Sequence, residues 1–245
     1  MEVPEAAVYP VLKGKVAIIT GGSQGMGKAT ASVFLRAGAQ VVIADVKEVE
    51  VWEIIFVRCD ISKSADVQNL IAVTVEKFGK LDVAVNNAAL TPDKTQLINF
   101  DEDYWNTRGN QPHWNSTMLQ MAKQGTKGSI VNIASINAFR PQPNMPAYTA
   151  TKHAIIGLTK HPSVEGGPKG IRVNAVAPGA IFSDMSAAAL EIMGTTMEEF
   201  APTVSNLHRF GMAHEVAQAS LWLSSDNSSY VTGVCLPVDG GYLAK

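Results

Sequence analysis

"VAIITGGSQGMGKATASVFLRAG", residues 16–38, is the stretch from which the fold is read. A β-branched apolar run, 16–20, passes into a loop carrying Gly21, Gly25 and Gly27, and the loop opens directly into a stretch of helical periodicity at 27–37. Glycines placed between a strand and a helix let the chain turn tightly, and they bring backbone N–H groups and the positive helix end against a pyrophosphate. The spacing is G-x-x-x-G-x-G rather than the G-x-G-x-x-G of many dinucleotide folds. A glycine cluster alone can be a structural turn, so the strand before it and the helix after it carry the reading.

Outward from this stretch the pattern repeats. Short apolar runs recur at 41–45, 54–60, 81–88, 128–135, 171–179 and 233–241, with helical periodicity at 64–78, 148–160 and 214–224. The runs are apolar on both faces, as a sheet covered by helices on both sides requires. A doubly wound α/β fold with a parallel sheet follows, and its ligands are expected at the carboxyl ends of the strands. Asp45 stands at such an end, where a carboxylate accepts hydrogen bonds from ribose hydroxyls or caps the next turn.

The 245 residues suit one large α/β domain, and no repeat or linker divides them, so 1–245 is read as a single domain. A net charge of −2 gives no reason to expect nucleic acid, which leaves a small molecule as the expected partner. Cys59 and Cys235 are too few and too isolated for a disulfide framework. The first fifteen residues lack a basic stretch followed by an apolar one, and no apolar run reaches the ~18 residues of a membrane span. A cytoplasmic protein without membrane association is expected. The five histidines show no ligand spacing, so no metal is expected.

"AYTATKHAIIG", 147–157, places Tyr148 and Lys152 one helical turn apart on one face. Alone, such a pair is more often a solvated surface pair. Taken in order with "TGGSQGMG" (20–27), "CDI" (59–61), "NNAA" (86–89), "SIVNIAS" (129–135) and "VAPGAIFSDM" (176–185), however, it makes the sequence resemble the short-chain dehydrogenase/reductase family over about residues 12–243.

That resemblance implies a seven-stranded Rossmann sheet binding NAD, with NADP the less favoured cofactor. It also implies that Tyr148 exchanges a proton with the substrate oxygen, that Lys152 lowers the tyrosine's pKa and holds the nicotinamide ribose, and that Ser135 orients the reacting oxygen. The glycine loop, with Ser23, Gln24 and Met26, would hold the pyrophosphate; Asp60 and Ile61 would border adenine, and Asn87 and Ala88, next to Ala89, the adenosine ribose. Pro178, Gly179 and Ile181 would border the nicotinamide, and Ser183 its carboxamide. The implied activity interconverts a secondary alcohol and a ketone on a small hydrophobic, cyclic substrate. The alternatives are a cofactor-binding relative with little turnover, or a nonredox isomerase or lyase using the same tyrosine. Ile136, Asn137, Met145, Phe182 and Met185 flank the pocket, and an insertion at about 183–210 resembles the family's substrate lid.

The chain departs from the family pattern in three places. Too few residues follow Asp45 for a full helix, so 46–53 is expected to form a turn or a short helical piece. Gly109 and Pro112 fall where a long helix bearing the family's asparagine should run; Asn110 is the first candidate for that residue, with Asn106 and Asn115 behind it. Pro162 falls inside the helix that begins near Tyr148 and is expected to kink or end it near Lys160. The resemblance further implies a homo-oligomer, dimer or tetramer.

Overall fold

Seven strands lie side by side and parallel in the order β3-β2-β1-β4-β5-β6-β7. They are β1 (Val16–Thr20), β2 (Gln40–Asp45), β3 (Ile55–Arg58), β4 (Val83–Asn86), β5 (Gly128–Ile133), β6 (Ile171–Pro178) and β7 (Cys235–Val238). The computed structural model describes residues 7–49, 53–89, 114–183, 186–187, 190–191 and 194–245, without the side chains of residues 114 and 115. The helices are α1 (Gly25–Arg36), α2 (Ser64–Phe78), α3 (Trp114–Gln124), α4 (Pro146–Gly166), α5 (Met197–Val204) and α6 (Ala213–Ser224).

Alternation within each strand divides the core. In β1, Ala17 and Ile19 join Val33 and Phe34 of α1 and Val216 and Leu221 of α6, whereas Ile18 joins Leu70 of α2 and Met121 of α3 on the other face. Because successive side chains of a strand point to opposite faces, a strand covered on both must be apolar throughout. On the second face α4 packs Ile155 against Ala175 and Ala177 of β6. Strand order reverses between β1 and β4, and the crevice at the carboxyl ends of these two strands is where the site is built. None of the described helices is long and apolar enough to cross a membrane.

Between β2 and β3 the described residues form bends and no helix, and Cys59 N–H closes the connection on Asp45 O at 3.0 Å. The helix does not end near Lys160 as one form of the expectation had it. Helix α4 runs through Pro162 to Gly166, 21 residues in all. Proline removes the N–H that would bond the carbonyl four residues back, at Leu158. That carbonyl instead faces Asn132 Nδ2 of β5 at 3.5 Å; the same amide group donates to Thr159 Oγ1 at 3.0 Å, and Ser163 Oγ donates to Lys160 O at 2.7 Å. A long-range side chain therefore takes over part of a local backbone role.

Proline inside a helix costs ~3 kcal/mol, and the 3.5 Å contact recovers only part of it. Pro162→Ala should therefore stabilise the protein by about 1–2 kcal/mol in urea unfolding, the remainder being what Asn132 already supplies. A destabilised variant would show that the proline ring itself is needed for packing.

Candidate active site

The crevice begins at Thr20, the last residue of β1. Its Oγ1 accepts from the N–H groups of Asn87 and Ala88, each at 3.0 Å, while Asn87 Nδ2 donates back to Thr20 O at 3.0 Å and Gly21 O at 3.1 Å. Asn87 is thereby committed to holding the glycine loop against the end of β4. Gly21 has φ +66°, and a Cβ there would stand 2.8 Å from Asn87 Nδ2; a Cβ on Gly27 would collide with Gly21 O. Both positions require glycine. The first turn of α1 has neither a side-chain cap on Gln24 nor an acidic residue, so its leading N–H groups and positive helix end face the crevice uncompensated. Met26, in contrast, turns back and packs on the core.

Asp45 closes the outer side of the loop. Its Oδ2 accepts from Ser23 N–H at 3.1 Å and its Oδ1 from Lys47 N–H at 3.2 Å, and Ser23 Oγ donates to Lys47 O at 2.9 Å. The carboxylate thus caps its own turn, and with two acceptor lone pairs per oxygen it keeps capacity for hydroxyl donors. The Asp60 carboxylate accepts from Ser62 N–H at 3.0 Å and Ser62 Oγ at 2.7 Å, which holds it below the ordinary range. Ile61 lines a narrow cavity shared with Thr20, Asn86, Ala88 and Lys152, whereas Ala89 is exposed.

Ser135, Tyr148 and Lys152 come together beside this crevice. Ser135 follows β5 in extended conformation, and its Oγ accepts from Asn137 N–H at 3.2 Å, capping the short turn Ile136–Ala138. Tyr148 lies in the first turn of α4, which starts with Pro146, and is hydrogen-bonded to the Ser135 side chain. Lys152 is only 5% exposed; its Nζ donates to Ile133 O at 2.8 Å and lies 5.4 Å from the centre of the Tyr148 ring. Burial lowers the ammonium from 10.5 to about 8. The phenol moves the other way from the expectation: burial raises Tyr148, with the Ser135 hydrogen bond opposing. Burial outweighs that hydrogen bond, and the Lys152 ammonium, bonded to a main-chain carbonyl, lies over the ring.

The far wall comes from β6 onward. Pro178 ends the strand, Gly179 N–H donates to Val238 O at 3.0 Å, and a Cβ on Gly179 would stand 2.7 Å from Asp239 Cα. Ile181 bridges to Gly211, and Phe182 N–H donates to Gly211 O at 2.8 Å. Ser183 and Ser186 cap each other, Ser183 Oγ accepting from Ser186 N–H at 3.1 Å. Phe182 packs with Leu190, Ala201 and Phe210 into a small core under α5, whose capping box pairs Thr196 with Glu199. Ile136 and Asn137 are buried, and Met145 Sδ accepts from Asn137 Nδ2 at 3.4 Å. Asn110, Asn106 and Met185, and the side chain of Asn115, lie outside the described residues.

Three side chains organise the site without having been singled out from the sequence: Thr20, Asn86 and Asn132. Asn86 Nδ2 donates to Asn132 Oδ1 at 2.8 Å across the β4–β5 register, and Asn132 passes the network on to α4. Polar residues at the ends of otherwise apolar strands were the available signal. No group of three or more potential metal ligands occurs among the described residues.

Comparison with known proteins places this arrangement. A family model described as enoyl-(acyl carrier protein) reductase, adh_short_C2, matches residues 21–243. The short-chain dehydrogenase/reductase astE of Aspergillus oryzae is 43% identical over 94% of this chain and 95% of its own. A 2,5-dichloro-2,5-cyclohexadiene-1,4-diol dehydrogenase of Sphingobium indicum is 38% identical over 95% of this chain and 98% of its own. Among solved structures, levodione reductase superposes with a TM-score of 0.86 at 31% identity, over 95% of this chain and 99% of that one. The aldohexose dehydrogenase of Thermoplasma acidophilum reaches 0.89 at 29% identity, over 97% of both chains. With its parallel seven-stranded sheet, glycine loop and Tyr-x-x-x-Lys turn, the chain belongs to the short-chain dehydrogenase/reductase family of oxidoreductases.

Proposed function

We propose that the protein is an NAD-dependent oxidoreductase that interconverts a secondary alcohol and a ketone on a small hydrophobic, cyclic substrate. The observation that carries this reading is the convergence of Ser135, Tyr148 and Lys152 beside the glycine loop and a helix α1 whose N-cap Gln24 makes no side-chain capping bond. Family membership implies a nicotinamide cofactor, and the residues present fit one: Gly21 and Gly27 leave a cradle that a Cβ would fill, and the first-turn N–H groups of α1 are open to a pyrophosphate. Asp45 would hold the adenosine ribose, and Gly179, Ile181 and Ser183 would flank the nicotinamide. When bound, the nicotinamide supplies the hydride acceptor or donor and, oxidised, a positive charge.

The chain's own residues then manage one proton. In the oxidising direction the Tyr148 oxygen accepts the hydroxyl proton of the substrate as its carbinol C–H bond breaks, and the carbon–oxygen bond becomes a carbonyl. Ser135 Oγ hydrogen-bonds the reacting oxygen and keeps it beside the phenol. Lys152 keeps a cationic donor in a nearly water-free site, where its field favours the phenolate once a substrate oxygen and the cofactor's charge align the groups. A cyclic, apolar substrate is supported by the apolar neighbours Ile136, Met145 and Phe182. It is supported also by relatives whose names state action on a cyclic diol and on levodione. The protein is expected to act in the cytoplasm as a homo-oligomer.

Replacing the exchanged hydroxyl, Tyr148→Phe, should leave cofactor binding near wild type while lowering kcat by ~10²–10⁴-fold on the best cyclic alcohol, the usual range for a general acid–base group. Lys152→Met should also lose activity, yet unfold at or above the wild-type temperature at pH 7. The sign follows from linkage: the unfolded chain holds the Lys152 proton up to 10.5 and the folded one only up to about 8, so stability from this group rises as pH increases through that window. At neutral pH the buried charge therefore costs about 3 kcal/mol net. Near-normal turnover by Tyr148→Phe would refute the proposed roles.

Cofactor choice rests on Asp45, whose carboxylate would accept from a ribose 2′-hydroxyl and repel a 2′-phosphate. Discrimination of at least about tenfold in kcat/KM for NAD over NADP is expected, and Asp45→Ala should narrow it by improving NADP. A wild-type enzyme that prefers NADP would instead mean that Lys47 or Arg58, the latter in register with Asp45 on β3, neutralises the phosphate.

A further inference from the structure

Beyond β7, residues 239–245 form a turn that meets three of the segments surrounding the Tyr148 crevice. Asp239 sets its shape: Oδ1 accepts from Gly241 N–H and Oδ2 from Leu243 N–H, each at 2.9 Å, and Tyr242–Ala244 follows as one short helical turn. The first segment it meets is the one after β6, where a Cβ on Gly179 would stand 2.7 Å from Asp239 Cα. The second is α5 with the residues that follow it. Asn206 N–H donates to Gly240 O and Asn206 Nδ2 to Gly241 O, each at 2.8 Å, and Lys245 Nζ donates to Pro202 O at 3.1 Å. Gly240 has φ +60°, and a Cβ there would collide with Ser205 Oγ, so the two backbones approach as closely as glycine permits.

The third segment is 136–145, between Ser135 and Tyr148. Phe139 N–H and Arg140 N–H both donate to Ile136 O at 2.9 Å, which closes a turn and leaves the two residues exposed. From there the Arg140 guanidinium reaches the 239–245 turn and lies over the ring of Tyr242, 5.0 Å from its centre. A cation at that distance over an aromatic face is held by the ring's quadrupole. Tyr242 is half-buried and its main chain is fixed by Asp239, so the ring offers a placed surface on which the arginine settles. The stretch bearing Asn137 and Met145 and the residues at the foot of α5 are thereby fastened to one short turn. The sheet itself ends at Val238 and needs none of these contacts.

We propose that Arg140 and Tyr242 are positioning residues for the substrate: their contact holds 136–145 in fixed relation to the α5 side of the crevice, so that the substrate meets both already ordered. The inference rests on the assignment of this crevice to an alcohol. Neither side chain takes part in the proton exchange, and their effect falls on substrate binding, because a wall ordered in advance lowers the entropy lost when the substrate enters.

A double-mutant cycle of Arg140→Ala and Tyr242→Ala in the full chain, with Tyr242→Phe as the conservative control, tests the proposal. KM for the best cyclic alcohol should rise about three- to fivefold in each alanine variant and no further in the pair, with kcat and the KM for NAD changed by less than about twofold. Tyr242→Phe keeps the ring and should restore the wild-type KM. Additive effects in the pair, or a lowered Tm with KM unchanged, would overturn the proposal. Hydrogen exchange followed by mass spectrometry needs no turnover and so separates this inference from the alcohol assignment. Amides of 136–145 should exchange several-fold faster in both alanine variants, with β1 and α1 as in the wild type. Unchanged exchange there would overturn the positioning role even in an active enzyme. Faster exchange in a protein that oxidises no alcohol would uphold that role and count against the alcohol assignment alone.

Discussion

Parallel strands β1 and β4 end side by side, and the Thr20 hydroxyl between them takes the N–H groups of Asn87 and Ala88, while Asn87 returns two bonds to the main chain at Thr20 and Gly21. This exchange holds the glycine loop at the switch point of the sheet. Gly27 must then pass against Gly21 O with no Cβ, α1 leaves at a fixed angle, and its first-turn N–H groups remain open. From the same pair of strands, Asn86 reaches Asn132, and Asn132 reaches Thr159 and the carbonyl opposite Pro162. The helix that carries Tyr148 and Lys152 is thus tied through β5 to the glycine loop.

Lys152 shows what function costs the fold. A long cationic side chain, 5% exposed and depressed to about 8, is unfavourable in the folded state. Among the described residues one main-chain carbonyl, that of Ile133, compensates it directly. Such a residue is retained where its charge is used, and here it stands one turn from a phenol that Ser135 already holds by a hydrogen bond. Tyr148 and Lys152 are displaced in opposite directions by the same dry surroundings. A negatively polarised substrate oxygen entering beside Ser135 would lower the cost of the buried Lys152 charge.

Much of the sheet was legible because physics allows few alternatives. Strands buried on both faces must read as apolar runs, and Gly21, Gly22 and Gly27 lie where Cβ atoms have no room. The helical spacing of Tyr148 and Lys152 likewise needs no tertiary information. Illegible features were those set by distant partners. Pro162 reads as a helix end because the compensating Asn132 is thirty residues away in sequence and meets it only when β5 packs under α4. The direction of the Lys152 amine depended on the position of Ile133 O, which no local pattern reveals.

The central claim, hydride transfer from a carbinol carbon at the Tyr148 crevice, is tested most directly by isotope transfer. A cyclic secondary alcohol deuterated at the carbinol carbon would be incubated with the protein and NAD, and the reduced cofactor examined by mass spectrometry. Reduced cofactor carrying one deuterium is expected, formed with the corresponding ketone in equal amount. Ketone or isomer appearing without label in the cofactor, or cofactor that binds but stays oxidised across a range of such alcohols, would contradict it.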